Sequence, residues 1–208
     1  MMSKNQPEIN GAKSLLKKYN KLNLGCGNRP IENYLNADLY SEKSDIKIDF
    51  DKTPWPLPSN HFEYVYSYHV IEHLKDTQAV MDELWRICKP NARLHIILPH
   101  FSSIAMASPF HLKNFNSQSM QYFSIDDHPY DPNYGKANFK ILKTRINWYT
   151  HDLQYINDRL HRKIIYYLSL PLDFLINLNR NFFERIWCYW VGGAFEVEWE
   201  LEVVKKQQ

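Results

Sequence analysis

The residues best suited to chemistry are two glycines, two aspartates and a group of histidines. Gly25 and Gly27 end the stretch K-L-N-L-G-C-G, directly after the apolar Leu22 and Leu24. Glycine has no Cβ, so backbone there can turn sharply and lie against a ligand. A strand that stops at glycines in an α/β sheet is a usual seat for a nucleotide-like cofactor. Asp38 and Asp49 each close a short apolar or alternating stretch. Taken singly, each reads as a loop carboxylate or a cap; at consecutive strand ends, they read as acceptors facing a ligand. His69, Glu72 and His73 fall at i, i+3 and i+4, which on a helix is one face. His100 and His111 follow. An imidazole titrates near neutral pH and suits a general base, with His69, His73 and His111 as candidates. Two other readings stay open: a metal site of Glu72, His73 and His111, and a purely structural hydrogen bond from His73. No metal is assigned from the sequence. Cys26 reads as a small buried filler.

These residues need a sheet to hold them. Leu22–Leu24 reads as a first strand, residues 34–37 as a second and residues 46–50 as a third by their alternation. Residues 51–60 hold three prolines and exclude regular structure. Phe62–Ser67 reads as a fourth strand. Asp76 is a fair N-cap for a helix from Thr77 to about Cys88, with Val80, Leu84 and Ile87 as its apolar face. Lys89-Pro90-Asn91 ends that helix, and Arg93–Pro99 is a fifth strand. Strands alternating with helices indicate a parallel α/β sheet. Further on, residues 139–148 read as a strand and Asp152–Trp190 as helical, broken at Pro171. Residues 195–203 alternate apolar and acidic residues strictly, predicting a strand with one face buried and one in water. Residues 1–12 read as a loose tail.

Composition sets outer limits. The chain has 208 residues, 44% hydrophobic and 23% charged, as in an ordinary globular domain, so one domain over residues 1–208 is expected. A formal net charge of +2 argues against a general nucleic-acid binder, and no nucleic-acid partner is expected. Three scattered cysteines suit a reduced, cytoplasmic chain better than a disulfide framework. The polar N-terminal residues carry no secretion-type apolar core, and no apolar run approaches the roughly 18 residues that span a bilayer.

In order, L-N-L-G-C-G, N-A-D-L, I-D-F-D, F-E-Y-V-Y-S-Y-H-V-I-E-H-L and E-L-W-R-I-C-K-P-N-A-R-L-H-I-I-L-P-H resemble the class I S-adenosylmethionine-dependent methyltransferases, in the small-molecule branch of type 11. The resemblance covers residues 21–101, a cofactor-binding core. It implies a Rossmann-like α/β sheet of seven strands, order 3-2-1-4-5-7-6, with strand 7 antiparallel and the helical segment 152–190 inserted between strands 6 and 7 as a lid. It implies S-adenosylmethionine as cofactor. Leu24, Gly25, Cys26 and Gly27 would pass against its methionine portion. Asp38 and Leu39 would meet the ribose, Asp49 and Phe50 the adenine, and Ser67 and Tyr68 the amino-acid end. The chain departs from the family at Asn23, where an acid is common, and at K-P-N-A, where K-P-G-G is common. Only 11 positions separate Gly27 from Asp38, so the usual first helix must shrink to a turn. A nicotinamide dehydrogenase is disfavoured, because Asn28-Arg29-Pro30 supplies no third glycine.

The expected reaction is methyl transfer to an oxygen or nitrogen of a small-molecule acceptor, a sugar being the preferred guess. The alternatives are a metal-dependent RNA methyltransferase, resembling enzymes that carry E-x-x-E-H, and a cofactor-binding protein without transferase activity. Segment 152–190 mixes many aromatic residues with Arg159, Arg162, Lys163, Arg180 and Arg185. It reads as a packed lid or homodimer face, or as a contact with a membrane surface or lipid-linked substrate.

Overall fold

The computed structural model describes residues 10–124 and 135–205. Helix α1 (Asn10–Lys18) leads into strand β1 (Lys21–Leu24). Next come β2 (Leu35–Ala37), β3 (Phe62–Tyr68), helix α2 (Thr77–Ile87) and β4 (Cys88–Pro99). Strand β5 (Phe139–Asn147) is followed by helices α3 (Leu153–Asn157) and α4 (Leu160–Leu178), a series of short turns over 180–190, and β6 (Glu196–Val203). The sheet has six strands in the order β2-β1-β3-β4-β6-β5. Strands β1 to β4 run parallel; β6 is antiparallel to both β4 and β5. The α/β class and the antiparallel final strand agree with expectation.

Six strands stand where seven were expected. The missing one is residues 46–50, which make a single parallel bridge, Ala37 to Ile46, with bonds from Ile46 N–H to the Asn36 carbonyl, from Asp38 N–H to the Ile46 carbonyl and from Ile48 N–H to the Asp38 carbonyl. Strand β2 is three residues long, so it offers too short an edge for a full ladder. The remaining order is the expected one with that strand removed.

Helix α2 follows its sequence signals. The Asp76 carboxylate caps it by accepting from Ala79 N–H at 3.0 Å. Val80, Leu84 and Ile87 are all buried. They pack beneath a sheet face that includes Val65, Leu94, Ile96, Leu98, Val197 and Leu201. Strand β4 begins at Cys88 and not at Arg93: K-P-N-A does not separate helix from strand but lies within it, with Asn91 at φ 62°.

Three further expectations fail. Residues 10–12 belong to α1 and not to a loose tail; residues 1–9 lie outside the described residues. The helical segment does not break at Pro171, which sits inside α4; the break comes at Asn179. Pro171 and Tyr167, one turn before it, are both exposed, so the carbonyl that loses its partner is open to solvent. Finally, the acidic face of β6 is not simply in water. Strand β6 lies between β4 and β5, and Glu196 and Glu198 are buried. Glu198 meets His95 and Lys143, and Glu202 meets Arg93, so basic residues on the flanking strands match the acids.

Candidate active site

The candidate residues gather at the C-terminal ends of β1, β2 and β3, where an open α/β sheet places its ligands. Gly25 has φ +67° and Gly27 φ +49°. A Cβ at Gly25 would lie 2.3 Å from a Val70 methyl, so glycine there is demanded by both space and backbone. The neighbouring Leu24 and Cys26 are buried, and burial pushes the Cys26 thiol up, against a nucleophilic role. Gly25, Cys26, Arg29, Tyr66, Tyr68 and His151 line a cleft of about 310 Å³. A larger concavity of about 480 Å³ lies between β5 and α4, but it contains no glycine turn, so volume alone does not locate the site.

Asp38 organises the turn beyond β1. Its Oδ2 accepts from Gly27 N–H at 2.9 Å, and its Oδ1 accepts from Tyr40 and Ser41 N–H at 2.8 and 2.9 Å. Burial pushes this carboxyl up, but the three N–H donors and nearby Lys47 outweigh it and hold the group below its ordinary value. Leu39 is half-buried beside it. Asp49 sits further along, paired with Lys52 at 2.8 Å, whose contact keeps it ionised. Phe50 is buried edge-on against Trp55, whose indole N–H donates to the Phe50 carbonyl at 3.2 Å. Ser67 is fully buried and its Oγ has no partner.

The histidines separate into two groups. His69 is at φ +53°, and only Ile71–His73 forms a helical turn, so the expected shared face of His69, Glu72 and His73 does not exist. His69 instead stacks flat on Tyr68, ring centres 4.2 Å apart, and turns Nε2 towards Glu196 Oε2 at 3.5 Å. Glu196 is fully buried and also accepts from His151 N–H at 3.0 Å, Tyr68 O–H at 3.3 Å and Asn147 Nδ2 at 3.4 Å. Burial and the Glu196 charge push the Tyr68 phenol up. Glu196 was not among the residues singled out in the sequence. Its only signal there is its place as first acid of the alternating stretch.

His73 and His111 form the second group, with rings 4.7 Å apart. His73 Nδ1 lies 3.0 Å from the Phe110 carbonyl, which leaves Nε2 facing Glu72 Oε1 at 3.9 Å. Glu72 is fully buried and neither carboxylate oxygen has a hydrogen-bond partner; His111 Nδ1 also lacks one. One ligand atom from each of Glu72, His73 and His111 lies within 4.8 Å of the others. Burial pushes Glu72 up and His111 down, the latter helped by the neighbouring His73 and His69. His100 is set apart: it is fully buried, held between Ser102 Oγ at 2.7 Å and Glu184 at 3.2 Å, and its role is to tie β4 to the turns before β6.

Residues 22–96 match a family model described as a methyltransferase domain. A SAM-dependent methyltransferase from Archaeoglobus fulgidus is similar in structure, with a TM-score of 0.52 and 15% identity over 91% of this chain and 90% of that one. The YcgJ protein from Bacillus subtilis aligns at a TM-score of 0.50 and 9% identity, over 96% of this chain and 100% of that one. The cyclase SpnF aligns at 0.51 and 11%, over 93% of this chain and 80% of that one. No curated protein matches the chain. At such identities the structural likeness establishes the fold alone. Residues 22–96 thus match a methyltransferase domain, and the sheet around them has a fold similar to that of the archaeal S-adenosylmethionine-dependent methyltransferase. The domain match points to methyl transfer, and S-adenosylmethionine is the cofactor of the similar archaeal protein.

Proposed function

We propose that the chain methylates an oxygen or nitrogen of a small molecule, a sugar being the preferred class, with His69 as general base. The observation that carries this reading is the buried Glu196 carboxylate set against the imidazole at the end of β3, next to the cleft beside Gly25. Residues 21–101 form the cofactor-binding core. The residues fit the cofactor: the glycine turn admits close approach, Asp38 is an ionised acceptor, and the buried Ser67 hydroxyl lacks a partner. Leu24, Gly25, Cys26 and Gly27 hold the methionine portion, Asp38 and Leu39 the ribose, Asp49 and Phe50 the adenine, and Ser67 and Tyr68 the amino-acid end. When bound, S-adenosylmethionine supplies a methyl group on a positive sulfur, already activated for displacement.

The chain supplies alignment and proton removal. With Nε2 turned to Glu196, Nδ1 of His69 is the atom left to take a proton from the acceptor. The glutamate then stabilises the imidazolium, as a carboxylate does behind a catalytic histidine elsewhere. Such a base contributes roughly 10²–10⁴-fold. The acceptor lies between the ends of β3 and β4, residues 100–123, and the insertion 152–190 acting as a lid. The free cysteines Cys26, Cys88 and Cys188 suit a reducing cytoplasmic setting.

His69→Asn tests the assignment, since asparagine tolerates the left-handed backbone. In a mass-spectrometric screen against nucleotide sugars and phenols, turnover should fall by about 10²-fold with cofactor affinity unchanged. A matching loss of affinity and melting temperature would make His69 structural.

A second reading is favoured by the orphaned Glu72 carboxylate. Together with His73 and His111 it has the oxygen and nitrogen donors to hold a divalent cation, which would orient an acceptor hydroxyl. Magnesium or manganese should then raise the melting temperature of the wild type but not of Glu72→Gln. Equal responses would remove the cation.

A further inference from the structure

Helix α4 is built inside out. Its buried positions are Ser169, Asp173 and Ile176, with Asn177 beside them. Two of the three buried side chains are polar, and Asp173, together with Asn177, makes the contacts that fix the helix. Asp173 accepts from Trp148 N–H at 2.6 Å, lies 2.8 Å from His151 Nε2 and pairs with Arg145 at 3.5 Å. Asn177 spans the Ile146 backbone, donating to its carbonyl at 2.7 Å and accepting from its N–H at 2.9 Å. The opposite face is apolar and bare. Leu160, Ile164, Leu168, Leu175 and Leu178 repeat at helical spacing and are each at least half exposed; Tyr167 and Phe174 flank them. The bare surface continues beyond the helix through Phe182, Tyr189 and Trp190. A contiguous apolar face of this kind marks a contact surface.

We propose that this face seats the protein on an anionic lipid bilayer, with α4 lying in the interface. Charge chooses this occupant over a second copy of the chain. Arg159, Arg162 and Lys163 stand at the start of α4, and Arg180 and Arg185 just past its end. Among the acids of residues 153–191, Asp173 and Glu184 are buried, leaving Asp158 as the exposed one, and it pairs with Arg162 at 2.9 Å. An antiparallel two-fold pairing of α4 helices would set one basic end against the other. A parallel pairing would set like end on like end. Both repel, whereas anionic headgroups complement both ends at once. Nineteen residues make a rod of roughly 28 Å, and no helix among the described residues is long and apolar enough to cross a membrane, so α4 lies on the surface. Exposed Trp190 and Tyr189 are the residue types that favour the headgroup zone.

The inference does not rest on the acceptor or on His69, and its test needs no turnover. The full chain is floated with vesicles of phosphatidylcholine alone and of phosphatidylcholine with phosphatidylglycerol, at low and high salt. It should rise with the anionic vesicles only, and less so at high salt. Leu168→Glu with Leu175→Glu should weaken that association by at least about tenfold while leaving the thermal melt in place, because both positions are outward. Arg159→Glu with Arg180→Glu should remove the preference for anionic lipid. Binding to both vesicle types alike, or to neither, overturns the proposal. So does a concentration-dependent dimer, seen by sedimentation velocity, that the same leucine variant dissolves.

Discussion

The sheet around β1 to β4 and the helix α4 solve opposite problems. Around β1 to β4 the apolar residues face inward, and polar groups stand at the strand ends around the cleft beside Gly25. In α4 Asp173 and Asn177 face the sheet beside Ile176, while Leu160, Ile164, Leu168, Leu175 and Leu178 face out. The first half is stabilised by burial of Val65, Leu84, Ile87, Leu94 and their neighbours. The second is fixed to its sheet edge by Asp173 and Asn177, a few directed polar contacts. Burial is non-directional and tolerates many sequences, whereas a buried carboxylate depends on each partner.

That contrast can be broken by substitution. The largest effect is expected at Asp173→Ala, which strips His151, Arg145 and the Trp148 N–H of their acceptor; chemical denaturation should show a loss of about 3 kcal/mol. A loss no larger than that of an outward leucine would mean that α4 is not held by its polar face. Next comes Gly25→Ala. The left-handed backbone and the Val70 contact should together cost about 2 kcal/mol and abolish cofactor binding; calorimetry with normal binding would show that the turn can yield. Asp38→Asn keeps the shape but loses charge and one acceptor position, and cofactor affinity should fall at least about tenfold, or about 1.4 kcal/mol. Unchanged affinity would detach Asp38 from the ribose.

The smallest effect concerns Glu72, and its sign is opposite. Folding raises the proton affinity of this buried carboxyl, so the native state binds more protons than the unfolded chain in that range. Stability from this group is present below the ordinary carboxylate value and is lost as pH rises through the raised one. Glu72→Gln should therefore be more stable than the wild type above the ordinary carboxylate range and flatten the decline of stability there. A wild-type melting curve with no such decline would mean that water or an ion already satisfies the carboxylate.

The sequence made the cofactor half legible because local chemistry dictates it. Glycines at positive φ, a capped helix with Val80, Leu84 and Ile87 on one side, and three prolines after Asp51 all act within a few residues of themselves. Long-range placement was harder to read. Glu196 looked like a solvated acid because alternation says which face a residue is on, not whether that face is covered. Its cover comes from β3 and β5, far away in sequence. His69 left the expected helical face because its backbone turns left-handed just where the spacing suggested a continuous turn. Pro171 did not break α4, since the Tyr167 carbonyl it leaves unpaired lies on the open side. Residues 46–50 had strand periodicity but too short a neighbour to pair with.

Strand β6 has one further consequence. Glu196 is its first residue, opposite Pro99 on one side and Asn147 on the other. Sliding β6 by a single position would swing every side chain to the reverse of the sheet, taking Trp199 out of its socket and the carboxylate away from the imidazole together. Correct threading and the meeting of Glu196 with His69 are thus one condition. A chain that closes its sheet out of step would lose its aromatic anchor and that buried pair at the same moment.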